Sequence, residues 1–185
     1  FQGPLWAELD GSTIQWETIS TVAELQALAA SKDPAVLAKN YKLARDLDLS
    51  GVTFSGIGSA SAPFTGMFDG QGHTVSHVTV KGGDNAGFFN VTLGAVIKNL
   101  HLSDVNVTGG SRVGGLVGWA RAELDRQDMA GSKAGLAGSC TVSGTVSGSR
   151  AVGGLVGLNE GLSDQETMFS VASAVDKCTA AVSVS

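Results

Sequence analysis

Apolar and polar residues alternate along much of the chain, as at Val78 and Val80, Val105 and Val107, and Val182 and Val184. A period of two predicts β-strands with one face buried. The pattern changes once, near the start. In "TVAELQALAAS" from Thr21 to Ser31, Val22, Leu25, Leu28 and Ala29 recur at helical spacing, and Thr21 with Glu24 matches a capping box. A short amphipathic helix is predicted there. It is flanked by "STIQWETI" and "YKLARDLDL", both of which read as strands.

The alternating segments repeat. "VTGGSRVGGLVG" at Val107–Gly118 and "VSGSRAVGGLVG" at Val146–Gly157 share eight of twelve positions without a gap. "HLSDVNV" precedes the first copy, "CTVSGTV" precedes the second, and "CTAAVSVS" opens a further one, which puts Cys140 and Cys178 at one repeat position. An earlier degenerate copy, "HTVSHVTVKGGDNAGFF", sets Gly87, Phe88 and Phe89 where Gly115, Leu116 and Val117 stand later. Repeated strand units of this kind predict a solenoid, with Leu116, Leu155, Val117 and Val156 as stacked core rungs. Gly114, Gly115, Gly118, Gly153, Gly154 and Gly157 are expected to let the chain turn and approach its neighbour closely.

Composition narrows the function. The chain has 185 residues, enough for one ordinary core, and 26 of them are Gly. A net charge of −5 with scattered basic residues argues against nucleic acid as a partner. No apolar run approaches the roughly 18 residues of a membrane span, so membrane insertion is not expected. "FQGP" at residues 1–4 reads as an expression-tag remnant, so the lack of a signal peptide carries no weight. Residues 5–50 are expected to form an N-terminal cap with one helix, covering the end of the solenoid core. Residues 51–185 are expected to form the repeats, cut short at "AVSVS", with further domains of the same chain beyond.

The Gly-Leu-hydrophobic-Gly signature, met at Gly115–Gly118 and Gly154–Gly157, resembles that of the bacterial GLUG-repeat proteins. "ISTVAELQALA", "YKLARDLDLSG" and "FTGMFDGQGHTVSHVTV" look like the leader that precedes such repeats. The resemblance implies an all-β, right-handed parallel β-helix with a small N-terminal α/β cap. It implies a secreted or cell-wall-attached setting, in adhesin-like proteins or in non-catalytic parts of IgA-protease-type metallopeptidases. It transfers no catalytic residue.

Candidate chemistry is sparse. Asp69, His73 and His77 in "FDGQGHTVSH" could serve acid-base or metal chemistry, but Asp-Gly and Gln-Gly are turn pairs, and a turn with Asp69 accepting backbone hydrogen bonds is the preferred reading. Asp46 and Asp48 could hold calcium if carbonyls completed the shell; a solvated strand face is the plainer reading. Cys140 and Cys178 would lie on neighbouring rungs, close enough for a disulfide, and reduced apolar fillers are the preferred reading. No phosphate loop is present, since neither "GQGHTV" nor "GGLVG" fits one. Asn90 and Asn106 head formal glycosylation sequons and read as ordinary strand residues. No catalytic residue, cofactor or metal is assigned.

The inserts carry the functional expectation. "WARAELDRQDMAGSKAGLAGS" follows one GLVG and "LNEGLSDQETMFSVASAVDK" follows the other, so stacking places both at one edge, where repeat proteins often build binding surfaces. Trp119, Arg121, Glu123 and Arg126 from the first, and Glu160, Asp164 and Phe169 from the second, are the candidate binding residues. "AELDRQDMA" reads as a short helix. The expected function is a non-catalytic scaffold presenting loops to a host protein or glycan, the alternative being an accessory substrate-positioning domain of a secreted metallopeptidase. A solenoid that itself cleaves polysaccharide would need clustered acidic or basic residues on one face, and the sequence offers none.

Overall fold

The computed structural model describes residues 14–122, 135–160, 162–164, 169–171 and 174–185. The strand Trp16–Ile19 leads into the helix Val22–Ala30, whose N-cap Thr21 accepts the Glu24 amide at 3.1 Å. Glu24 reaches back to the Ser20 amide and the Thr21 hydroxyl, so the box satisfies donors that the first turn leaves open. Leu25, Leu28 and Ala29 form the buried stripe of the helix. A second, four-residue helix, Pro34–Leu37, was not anticipated. Asp33 caps it and Pro34 starts it, where a missing amide costs nothing.

From there the protein is mostly β, and its large sheets are parallel. Six strands, Trp16–Ile19, Asn40–Leu43, Met67–Asp69, Val96–Lys98, Leu136–Gly138 and Ala174–Asp176, lie side by side in sequence order. A second sheet holds Leu47–Asp48, Thr74–Ser76, His101–Thr108, Thr141–Ser147 and Thr179–Val184, again in order. Two three-stranded sheets follow: Asn85–Ala86, Arg112–Gly114 and Val152–Gly153, then Phe89–Leu93, Val117–Arg121 and Val156–Glu160. From Met67 to Glu160, successive passes of the chain contribute strands to these four sheets in the same order, each strand pairing parallel with its predecessor in the sheet. Among the described residues, no helix is long and apolar enough to cross a membrane.

The corner between the first two sheets is a column of left-handed residues: Asn99, Ser139 and Lys177, at φ 53°, 53° and 50°. The next residue in each pass, Leu100, Cys140 and Cys178, turns inward, so the two cysteines continue a column begun by a leucine. Cys178 Sγ accepts the Cys140 amide at 3.4 Å, and both cysteines are free thiols. Burial pushes the Cys140 thiol up to about 12. A second bend comes inside the next strand. Leu102 pairs with Val142 but Val105 with Gly144, so Ser103 and Asp104 form a bulge, with Asp104 at φ 50°.

The two VGGLVG segments stack in register, with Val113 opposite Val152, Gly114 opposite Gly153 and Val117 opposite Val156. The degenerate copy joins them, with Val117 opposite Phe89 and Leu116 O accepting the Phe89 amide at 2.8 Å. There the core is filled by rings. Phe54 stacks on Phe88 at 5.1 Å, and Phe68 meets Phe89 edge-on at 5.4 Å. Full burial of one such side chain is worth about 1.5–3 kcal/mol. Later passes fill the same column with Leu116 and Val117, which is why the first copy departs from the signature.

The glycines serve the close approach expected of them. None of the six in the repeats has a positive φ, so no left-handed turn requires them. They are set by close approach instead. A Cβ on Gly118 would lie 2.7 Å from the Ala86 amide nitrogen, one on Gly157 2.5 Å from that of Val113, and those on Gly114 and Gly153 would collide with the carbonyls of Val117 and Val156. Gly154 is crowded by side chains, with Val182 Cγ2 at 2.5 Å.

Candidate functional site

The strand Val117–Arg121 turns Val117 into the core and leaves Trp119 and Arg121 half-buried. Trp119 lies between Val91 and Leu158 of the adjoining passes. Its indole Nε1 donates to Glu160 Oε2 at 2.7 Å, joining two passes. Two guanidinium groups lie over the ring: Arg112 at 4.4 Å from the ring centroid and Arg121 at 4.6 Å. Cation–π attraction of this kind holds a planar guanidinium flat while leaving its edge open to acceptors. The ring of Trp119 is thus flanked by two arginines.

Arg112 is fixed from a second side, its Nε donating to Asn85 Oδ1 at 2.6 Å. Beside it runs an open groove of about 350 Å³ lined by Asp84, Ser111, Arg112, Arg150, Ala151 and Leu158. Ser111 Oγ donates to Asp84 Oδ1 at 3.2 Å. The ion pairs among the described residues involve Lys39, Lys98, His73 and His77. None of them neutralises Arg112, Arg121 or Arg150. A chain of net charge −5 thus carries three guanidinium groups on one face with no carboxylate partner among the described residues.

Of the residues expected at the binding edge, the structure brings together Trp119, Arg121 and Glu160. Glu123 and Arg126 lie outside the described residues, as do Asp125, Asp128, Glu166, Met168 and the expected "AELDRQDMA" helix. Asp164 and Phe169 are paired partners in an antiparallel hairpin of Leu162–Asp164 with Phe169–Val171. Both inserts leave from the same edge, where the Ala122 amide donates to Glu160 O at 3.2 Å. Arg112 and Arg150 were missed, although "SRVGG" and "SRAVGG" carry a basic residue at the head of each copy.

The remaining candidates resolve locally. Asp69 accepts the Gln71 amide at 2.8 Å, as the turn reading requires, and does not meet His73 or His77. Those histidines pair instead with Asp46 and Asp48, at 3.2 and 2.9 Å, and His77 also faces Asp104 at 3.7 Å. The Thr74 amide, then the His73 ring, hold Asp46 below the usual carboxylate range. Ser50 through its hydroxyl and amide, then His77, hold Asp48 at about 2. Among the described residues no group of three or more metal-ligating side chains converges. Asn90 is committed to structure, its amide donating to Ser55 O and Gly58 O.

The fold and face thus define a mostly β protein of parallel sheets with an arginine-flanked tryptophan on one edge. No family model matches the chain, so the GLUG resemblance rests on its own residues. The chain is 35% identical over 159 residues to halomucin of Haloquadratum walsbyi, across 77% of this chain and 2% of that protein. A crystal structure of a Bacteroides ovatus protein provisionally named an immunoglobulin A1 protease superposes with a TM-score of 0.63 at 19% identity, over 92% of this chain and 48% of that one. At that identity the likeness speaks to the fold alone. The chain spans under half of either protein.

Proposed function

We infer that the chain is a non-catalytic module of an extracellular or cell-surface protein, built as a right-handed parallel β-helix closed at residues 5–50 by a small cap. Its role is mechanical and recognitional. Stacked passes make a rigid rod, and the edge where the inserts depart presents side chains to a host protein or glycan, as in an adhesin. The observation that carries this reading is the register of Val117 with Val156, which sends both inserts from one edge. Loops raised from a fixed scaffold are a recurrent way to build a binding face. The names of the two similar proteins, halomucin and an immunoglobulin A1 protease, agree with a setting outside the cell.

The likeness to the protein named for protease activity favours a second reading, in which the module positions substrate for a metallopeptidase domain elsewhere in the parent chain. Reading the gene outward separates the two. A zinc-protease motif such as H-E-x-x-H supports the accessory role, whereas repeats with a wall anchor support the scaffold. Hydrolysis of protein or polysaccharide by the isolated chain would overturn both.

A further inference from the structure

We propose that the groove beside Trp119 binds the carboxylate of an acidic oligosaccharide, with Arg112 and Arg150 as its principal contacts. The inference deepens the binding-module reading and rests on it. Arg112 is held by Asn85 at Nε and by the Trp119 ring over its plane, and its two terminal nitrogens have no hydrogen-bond partner among the described residues. That is the geometry for bidentate capture of a planar anion. Arg150 comes from the following pass and lines the same groove without an ion-pair partner among the described residues. Ordering one arginine in advance lowers the entropy lost when a ligand binds.

The rest of the lining selects the kind of anion. Asp84 offers a carboxylate and Ser111 a hydroxyl, already joined at 3.2 Å, and among the described residues the apolar wall is Ala151 and Leu158. A peptide anchors through buried aromatic or aliphatic side chains, for which the described lining of this groove offers no pocket. A ligand bearing both a carboxylate and neighbouring hydroxyl donors satisfies the arginines and Asp84 together. Uronic-type sugars have that combination; acidic peptides bring carboxylates alone. The groove is open, which suits a chain lying across it.

Calorimetry on the whole chain tests this with three probes: oligogalacturonate, the neutral galactose oligomer of equal length, and poly-L-glutamate. The expected result is binding of oligogalacturonate that weakens with salt and weakens at least roughly tenfold in Arg112→Gln and in Arg150→Gln, both still folded by circular dichroism. Arg45→Gln, in a bend away from this face, should bind as the parent does. Equal binding of the neutral oligomer, or tighter binding of poly-L-glutamate, overturns the proposal. Binding of a glycan or host protein that is indifferent to both arginine variants overturns it while sparing the module reading. A chain that binds no member of glycan and host-protein arrays defeats both.

Discussion

Gly115 donates its amide to the Gly154 carbonyl at 3.2 Å, and a methyl group built on Gly115 would lie 2.5 Å from that same oxygen. The hydrogen bond between passes and the absence of a side chain are thus one requirement. Gly115→Ala is expected to cost about 1–3 kcal/mol, the range for forcing extra atoms into a packed site, and Gly115→Val more. Gly138 is the control, because nothing lies within 4 Å of a Cβ there. Gly138→Ala should change stability by no more than about 0.5 kcal/mol in urea unfolding. Equal tolerance at the two positions would contradict the stacking.

The left-handed column makes the opposite prediction. Ser139 sits at φ 53° and is exposed, so its side chain contributes little and its backbone bears the penalty of that region. Ser139→Gly should raise stability by up to about 1 kcal/mol, and Ser139→Val should lower it by at least that much. The urea midpoint, at unchanged slope, reads both effects.

Asp48 sets a pH signature. Its folded-state value of about 2 lies below the ordinary 3.8. The native state therefore favours the ionised form, so its contribution is present above that ordinary value and is lost as pH falls through about 2. Carboxyl ¹³C shifts should give a midpoint near 2, and Ser50→Ala should raise it, since the Ser50 hydroxyl is the largest cause. A midpoint unmoved by that substitution would contradict the assignment.

Trp119 and Glu160 tie two passes through one hydrogen bond of 2.7 Å. Glu160→Ala leaves a half-buried indole N–H without its acceptor and should cost about 1 kcal/mol. It should also shift the tryptophan emission. Glu160→Gln, which keeps an acceptor oxygen, should recover most of the loss.

Much of this organisation is legible in the residues themselves. Periodicity found the strands and the first helix, and the match of "VGGLVG" with itself found the register that sets Val113 against Val152. Even the degenerate copy aligned correctly, with Phe89 beside Val117, because an inward column accepts any apolar residue that fills it. The site was only half legible. Trp119, Arg121 and Glu160 stood out as insert residues, but Arg112 and Arg150 sit inside the repeat, and their meeting at a groove depends on corner geometry that spacing does not encode. The pairing of Asp46 with His73 and of Asp48 with His77 was hidden for the same reason. The close approach expected of the repeat glycines was legible, because a residue without a side chain repeated at a strand junction has few other uses.

The central claim is that consecutive passes stack parallel and in register, and engineered cysteines test it most directly. Asn106 and Thr145 are exposed and directly opposite each other. In a background of Cys140→Ala and Cys178→Ala, Asn106→Cys with Thr145→Cys should form a disulfide under mild oxidation, since paired strands bring their Cα atoms within bridging range. Asn106→Cys with Ser143→Cys, two residues out of register, should cross-link far more slowly. Efficient bridging of the offset pair, or none in the matched pair, would contradict the stacked arrangement.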